Sequence, residues 1–254
     1  FLTHTASLRS EITGGVQLCS QEFHQILENI HEIDLKDYYV PYTKDIFHRV
    51  IAKFGLENYF AFDIEKESPS LLAYIEANHI EIAFINMATA VRFAKPIKER
   101  FGNTVKVILL SHGNHSGDFL HLISKPICKQ PFHKRMLNKF RLGMLLATEA
   151  EYRVKWLDAV VTISETEKQI ENWFGARKVA FLPRRLYKDF LPHEPVIGRI
   201  GFVGRLDHPP NLQGVTILLE ELSRNNQDLE FRLVGAPPKY GDQIRKEFPF
   251  VNYL

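Results

Sequence analysis

Short apolar runs alternate with segments of helical period along the whole chain, and this alternation limits the fold more than any other feature of the sequence. The runs are Tyr59–Phe62, Ile80–Ile85, Val105–Leu110, Ala159–Ile163, Lys178–Leu182, Ile197–Val203 and Leu229–Val234. Several are apolar at consecutive positions, the pattern of parallel strands covered on both faces. Between them the spacing predicts helices over Val16–Glu28, Thr43–Phe54, Pro69–Asn78, Thr89–Phe101, Phe132–Trp156, Glu165–Phe174, Asn211–Asn225 and Gly241–Glu247. Ser164 ahead of Glu165 and Glu167 reads as an N-cap, and so does Ser68 followed by Pro69. Such a series winds into an α/β sheet with helical crossovers.

The pattern pauses once. Pro183-Arg184-Arg185 ends one strand, and Leu191-Pro192-His193-Glu194-Pro195 forms a linker punctuated by proline. Residues 1–190 are therefore expected to form one Rossmann-like unit and residues 191–254 the start of a second, with two strand–helix repeats. Phe1-Leu2-Thr3-His4 reads as the last half of a strand and Phe248–Leu254 as the approach to another. Strands need partners for their backbone, so these ends are expected of a fragment.

Composition removes several classes. Among 254 residues, 45% are hydrophobic and 24% charged, values that exclude disorder, collagen-like repeats and coiled coil. The 32 basic and 30 acidic residues leave a net charge of +2, which gives no global basis for a nucleic-acid partner. Cys19 and Cys128 cannot make a disulfide framework, so a reducing, cytoplasmic setting is expected. No apolar run approaches the ~20 residues that span a bilayer, and the first residues lack a signal-peptide pattern.

Four segments carry chemistry. Gly14-Gly15 precedes a helix, where free amides attract phosphate and glycine permits close approach, although a plain tight turn has the same look. Ser111-His112-Gly113-Asn114-His115-Ser116-Gly117-Asp118 follows a strand, at the edge where open α/β sheets hold ligands, and is expected to be a loop. Its two histidines and Asp118 lack a distant ligand pair, so substrate contact is weighed above a metal site, with a solvated loop as the plain alternative. Residues 119–148 contain no Asp or Glu but hold Lys125, Lys129, Lys134, Arg135, Lys139 and Arg141, interleaved with Phe132, Met136, Leu137, Phe140 and Met144. That stretch can lie on anionic lipid, but core-facing apolar residues beside solvated charges come slightly ahead. Gly204-Arg205 ends a strand before a helix, where an arginine fork suits a diphosphate.

Taken in order, these residues resemble family 4 glycosyltransferases, the group 1 nucleotide-sugar enzymes with a GT-B fold. Gly14-Gly15, His112, Asp158-Ala159-Val160-Val161-Thr162-Ile163-Ser164-Glu165, Phe202-Val203-Gly204-Arg205-Leu206 and Phe231-Arg232-Leu233-Val234-Gly235 carry the likeness across nearly the whole chain. The resemblance implies a Rossmann-like acceptor domain and a second, donor-binding one, of which only the first part is present. It implies a retaining transfer of a hexose from a nucleotide-diphosphate sugar to a saccharide or lipid-linked acceptor, in cell-surface polysaccharide or glycolipid synthesis, with no cofactor and no obligatory metal. His112 would lie near the transferred sugar, and Gly14, Gly15, Gly204, Arg205 and Gly235 would serve the donor diphosphate. His115, Asp118 and Ser164 would face the acceptor or the cleft, with Ser164 best read as a helix N-cap. Cysteine usage and the basic, apolar stretch 119–148 together give the expected location as cytoplasmic, or peripheral at the inner face of a membrane.

Two positions depart from the family pattern. Pro210 stands where a lysine is common, with Asn211 expected to cap the helix, and the family's Glu-x7-Glu segment would lie beyond Leu254. A non-catalytic GT-B-like binding protein is the second reading. A nucleotide-cofactor dehydrogenase or epimerase is the third, and it lacks the three-glycine fingerprint and a Tyr-x-x-x-Lys pair.

Overall fold

The structure, a computed structural model, describes residues 1–9, 14–51, 61–124, 131–184, 194–225 and 229–254. The chain forms two compact units, Phe1–Leu186 and Tyr187–Leu254. The break falls a few residues before the position expected from the prolines.

The first unit holds six strands: β1 (Leu2–His4), β2 (Tyr38–Val40), β3 (Ile82–Asn86), β4 (Lys106–Leu110), β5 (Ala159–Thr162) and β6 (Val179–Phe181). All pair in parallel, in the order β2-β1-β3-β4-β5-β6. The chain runs from β1 outward to β2, then returns to place β3 on the other side of β1. The strand order thus reverses between β1 and β3, where doubly wound sheets open a crevice at their carboxyl edge.

Successive side chains alternate across this sheet. Leu2, Ala83, Ile85, Val107, Leu109 and Val160 enter one core, and Phe1, Phe84, Ile108, Leu110 and Val161 the other. The second face is covered by α1 (Gly15–Glu28) through Cys19, Phe23 and Leu27. The first receives Leu71 and Ile75 of α3 (Ile64–Ala77), Ile97 of α4 (Ala94–Phe101) and Leu145 of α6 (Phe132–Lys155). Also present are α2 (Ile46–Ile51), α5 (His115–Ser124) and α7 (Glu165–Trp173). At the amino edge Asp158 accepts from the Val107 amide at 2.8 Å and pairs with Lys98 at 2.6 Å. This aspartate of the family-like segment pins β4 to β5, at the end of the sheet remote from the crevice.

Several sequence expectations are corrected. Helix α3 starts at Asp63, whose carboxylate accepts from the Lys66 amide, and not at Ser68. Pro69 falls inside that helix and forgoes one backbone bond. Residues 115–118, expected in a loop, form the first turn of α5. The stretch expected as one helix from Thr89 begins as a 3-10 turn over Ala88–Phe93. Ala61 and Phe62 form a bend rather than the end of a strand, and the rest of that run, Tyr59 and Phe60, lies outside the described residues. So do Lys125, Cys128 and Lys129.

The second unit orders its strands β7 (Arg199–Val203), β8 (Glu230–Val234) and β9 (Val251–Tyr253) side by side and parallel. Helices α8 (Pro209–Arg224) and α9 (Pro238–Glu247) connect them over a core of Leu206, Val215, Leu219, Phe231, Leu233 and Ile244. His208 is the N-cap of α8, and Asn211, expected in that role, instead donates to the Arg205 carbonyl at 3.1 Å.

Candidate functional site

The carboxyl edge of the six-stranded sheet gathers polar groups at the β1–β3 reversal. Thr3 and Asn86 point to the α1 face, and Ser20 of α1 meets them there. Asn86 is fully buried, and its Nδ2 donates to Thr3 Oγ1 and Ser20 Oγ at 2.9 Å each. The Ser20 hydroxyl gives its single proton to the Val16 carbonyl at 2.8 Å. It can therefore only accept from Asn86, so the amide nitrogen must face Ser20 and Oδ1 must face the other way.

Asn86 Oδ1 meets His112 Nε2 at 2.8 Å. An amide oxygen accepts, so Nε2 carries the proton and Nδ1 presents a lone pair. Nδ1 is buried and has no hydrogen-bond partner among the described residues. Burial, with help from the nearby Arg184 guanidinium, pushes the imidazole down from 6.5 to about 4. Phe23 packs edge-on against the ring, with centroids 5.6 Å apart. His112 is thus a neutral imidazole of fixed tautomer, a hydrogen-bond acceptor at neutral pH.

Around it stand three helix starts. Gly14 is the N-cap of α1 and supplies no capping side chain. A Cβ at Gly15 would meet open space, so no packing demand explains that glycine. Ser164 caps α7 as expected, its Oγ accepting from the Glu167 amide at 3.1 Å. A Cβ on Gly113, whose φ is +116°, would lie 3.5 Å from Glu167 Oε1, which brings the β5–α7 corner against the His112 loop. Burial pushes the Glu167 carboxyl up, and the Glu171 and Asp118 charges add to the effect. Arg184, just after β6, pairs with Glu22 of α1 through two bonds of 2.8 Å.

His115 and Asp118 lie in the first turn of α5. Glu149 of α6, fully buried, accepts from the His115 amide at 2.7 Å and the Ser116 amide at 3.3 Å. A carboxylate from another helix therefore fills the start of α5. The His115 imidazole is pushed down to about 4 by burial, against the opposing pull of exposed Asp118. Behind it Arg153 and Glu171, both fully buried, join through bonds of 2.8 and 2.9 Å. Burial also pushes the Cys19 thiol up to about 11, so this residue packs rather than reacts.

Gly204, Arg205 and Gly235 adjoin one another in the second unit. The Gly204 amide donates to the Val234 carbonyl at 3.0 Å. A Cβ on Gly235 would collide with the Gly204 carbonyl oxygen, so close backbone packing accounts for that glycine. Arg205 is exposed, and its fork grips Asp207 through bonds of 2.6 and 3.0 Å.

Sequence reasoning missed Asn86, Thr3, Ser20, Glu22 and Glu149. The one available signal is a lone asparagine closing the apolar run Ile-Ala-Phe-Ile-Asn. Among the described residues, no group of three or more His, Cys, Asp or Glu is disposed to hold a metal ion, and no helix is long and apolar enough to cross a membrane. No protein-family model and no curated protein matches the chain.

Proposed function

We propose that this chain is a nucleotide-sugar-dependent glycosyltransferase of the GT-B type, moving a hexose with retention onto a saccharide or lipid-linked hydroxyl. The observation that carries the reading is the state of His112, a neutral imidazole with an unpartnered Nδ1 at the sheet reversal. A sugar hydroxyl donates to such a nitrogen. Asn86 keeps the ring from turning, and burial keeps it from taking up a proton that would abolish the acceptor. The amides of α1 beside Gly14 and Gly15 suit an anionic group of the substrate. In the second unit Arg205 would exchange its bond to Asp207 for the departing diphosphate and offset the charge that develops there. The resemblance of Gly14-Gly15, His112, Ser164 and Gly204-Arg205 to family 4 enzymes supports the same assignment, which requires no resident metal or cofactor.

Saturation-transfer NMR with UDP-, GDP- and dTDP-hexoses tests it. At least one sugar nucleotide should show transfer to its hexose protons. His112→Phe keeps the ring stack and removes the acceptor, so it should weaken that sugar nucleotide about 10-fold, one charge-free hydrogen bond to a buried acceptor, while leaving the free nucleotide diphosphate unaffected. Silence across the panel, or equal losses for both ligands, would overturn the assignment.

A further inference from the structure

The helix α6 carries two apolar faces, and only one is used by the core. Asn138, Leu145, Glu149 and Arg153 lie on its buried side. Phe132, Met136, Phe140 and Met144 recur at every fourth residue, so each advances only about 40° around the axis and together they form one continuous stripe. That stripe lies opposite the buried side. Its members are 69%, 49%, 66% and 41% exposed, so the expectation that these apolar residues face the core is not met. Clustered exposed side chains of this size mark a surface that meets something apolar.

The charges around the stripe identify the partner. Lys139 and Arg135 border it on one side, and residues 119–148 include no carboxylate. Among the described residues, neither Lys134 nor Lys139 takes part in an ion pair. A stripe of aromatic and thioether side chains beside a cationic margin, in a stretch with no carboxylate, matches the boundary of a lipid bilayer with anionic headgroups, where rings enter the acyl edge and cationic groups reach phosphate. We propose that this face of α6 docks the protein on an anionic membrane. The docking is independent of the glycosyl-transfer reading, since none of its residues belongs to the His112 cluster.

Flotation of the full chain with lipid vesicles tests the proposal. The protein should rise with phosphatidylcholine vesicles containing phosphatidylglycerol and stay behind with phosphatidylcholine alone. Raising salt to about 1 M, where the screening length falls to about 3 Å, should release it. A lysine near such a surface contributes about 5-fold, about 1 kcal/mol, so Lys139→Gln should weaken binding about 5-fold, whereas Lys134→Gln, on the far side of the helix, should change it less. Phe132→Ser with Phe140→Ser should weaken it at least about 10-fold by removing the inserted rings. The side chains replaced are all exposed, and unchanged circular dichroism confirms that the variants fold. Equal binding to neutral vesicles overturns the proposal. So does an absence of vesicle binding together with self-association in sedimentation that the phenylalanine variant abolishes, because the stripe would then meet a second copy of the chain.

Discussion

Lowering the pH from 7 to 5 should destabilise the first unit by about 2–3 kcal/mol through His112 and His115. Both imidazoles sit near 4 in the folded chain and near 6.5 once unfolded. The folded state therefore binds fewer protons than the unfolded state between these values, and stability falls as pH falls through that window. For a histidine with those two values, the loss from pH 7 to pH 5 is about 2 kcal/mol. Each ring keeps part of its surface in water, which reduces the pair's combined share to the figure above. Asp158 is held below the usual carboxylate range, so its contribution is lost at lower pH, outside this window. His4, lowered by burial, adds a smaller loss of the same sign, and Glu167, raised by burial, acts in the opposite sense. Both backgrounds are common to any variant that keeps those residues. The assay is urea unfolding followed by tryptophan fluorescence, because Trp156 and Trp173, the two tryptophans of the sequence, both lie in the first unit. In His112→Gln with His115→Gln the loss between pH 7 and pH 5 should shrink to under about 1 kcal/mol. An equal acid loss in the parent and the double variant would refute the burial argument for both rings.

Two further outcomes follow from charged groups of opposite setting. Glu171→Ala removes two charge-assisted bonds from the buried Arg153 guanidinium and should cost about 3–5 kcal/mol in the same urea experiment, whereas replacing both partners by apolar residues of similar size should recover most of that loss. Arg205→Ala, at an exposed position, should leave the urea midpoint in place and lower transferase turnover at least about 100-fold, the scale of losing one charge-stabilising group; unchanged turnover removes Arg205 from the site.

Much of the fold is legible because β3, β4 and β5 are apolar on consecutive residues and their helices obey a single period. What is not legible is non-local. Strand β2 has three residues between Asp37 and Pro41 and lies at the sheet edge, so no apolar run announces it. Ser68-Pro69 carries a local start signal, yet Asp63 wins because its carboxylate reaches the Lys66 amide and two acidic residues follow in the first turn. The polar, glycine-containing stretch after β4 reads as a loop because the group that caps α5, Glu149, lies 34 residues downstream of His115. The apolar positions of α6 show the right period for a helix, but the period alone does not tell the core-facing stripe from the solvent-facing one.

The candidate site divides in the same way. His112 could be singled out from its place after a strand, but its chemistry depends on Asn86, 26 residues away, and on Thr3 and Ser20 beyond it. Under the proposed function, the same edge bears on which helix start would take an anion. The α7 start has a capping side chain, Ser164, on the Glu167 amide, and the His115 and Ser116 amides of α5 are engaged by the Glu149 carboxylate, whose charge would also repel phosphate. Helix α1 begins at Gly14 with no capping side chain, beside open space at Gly15 and about one and a half turns before Ser20 joins the Asn86 network. In the proposed reading an anionic substrate group at this edge is assigned to α1, on the face where His112 offers its lone pair. The two glycines, an ordinary turn when read alone, become the part of the site that the other two helices are already too well capped to supply.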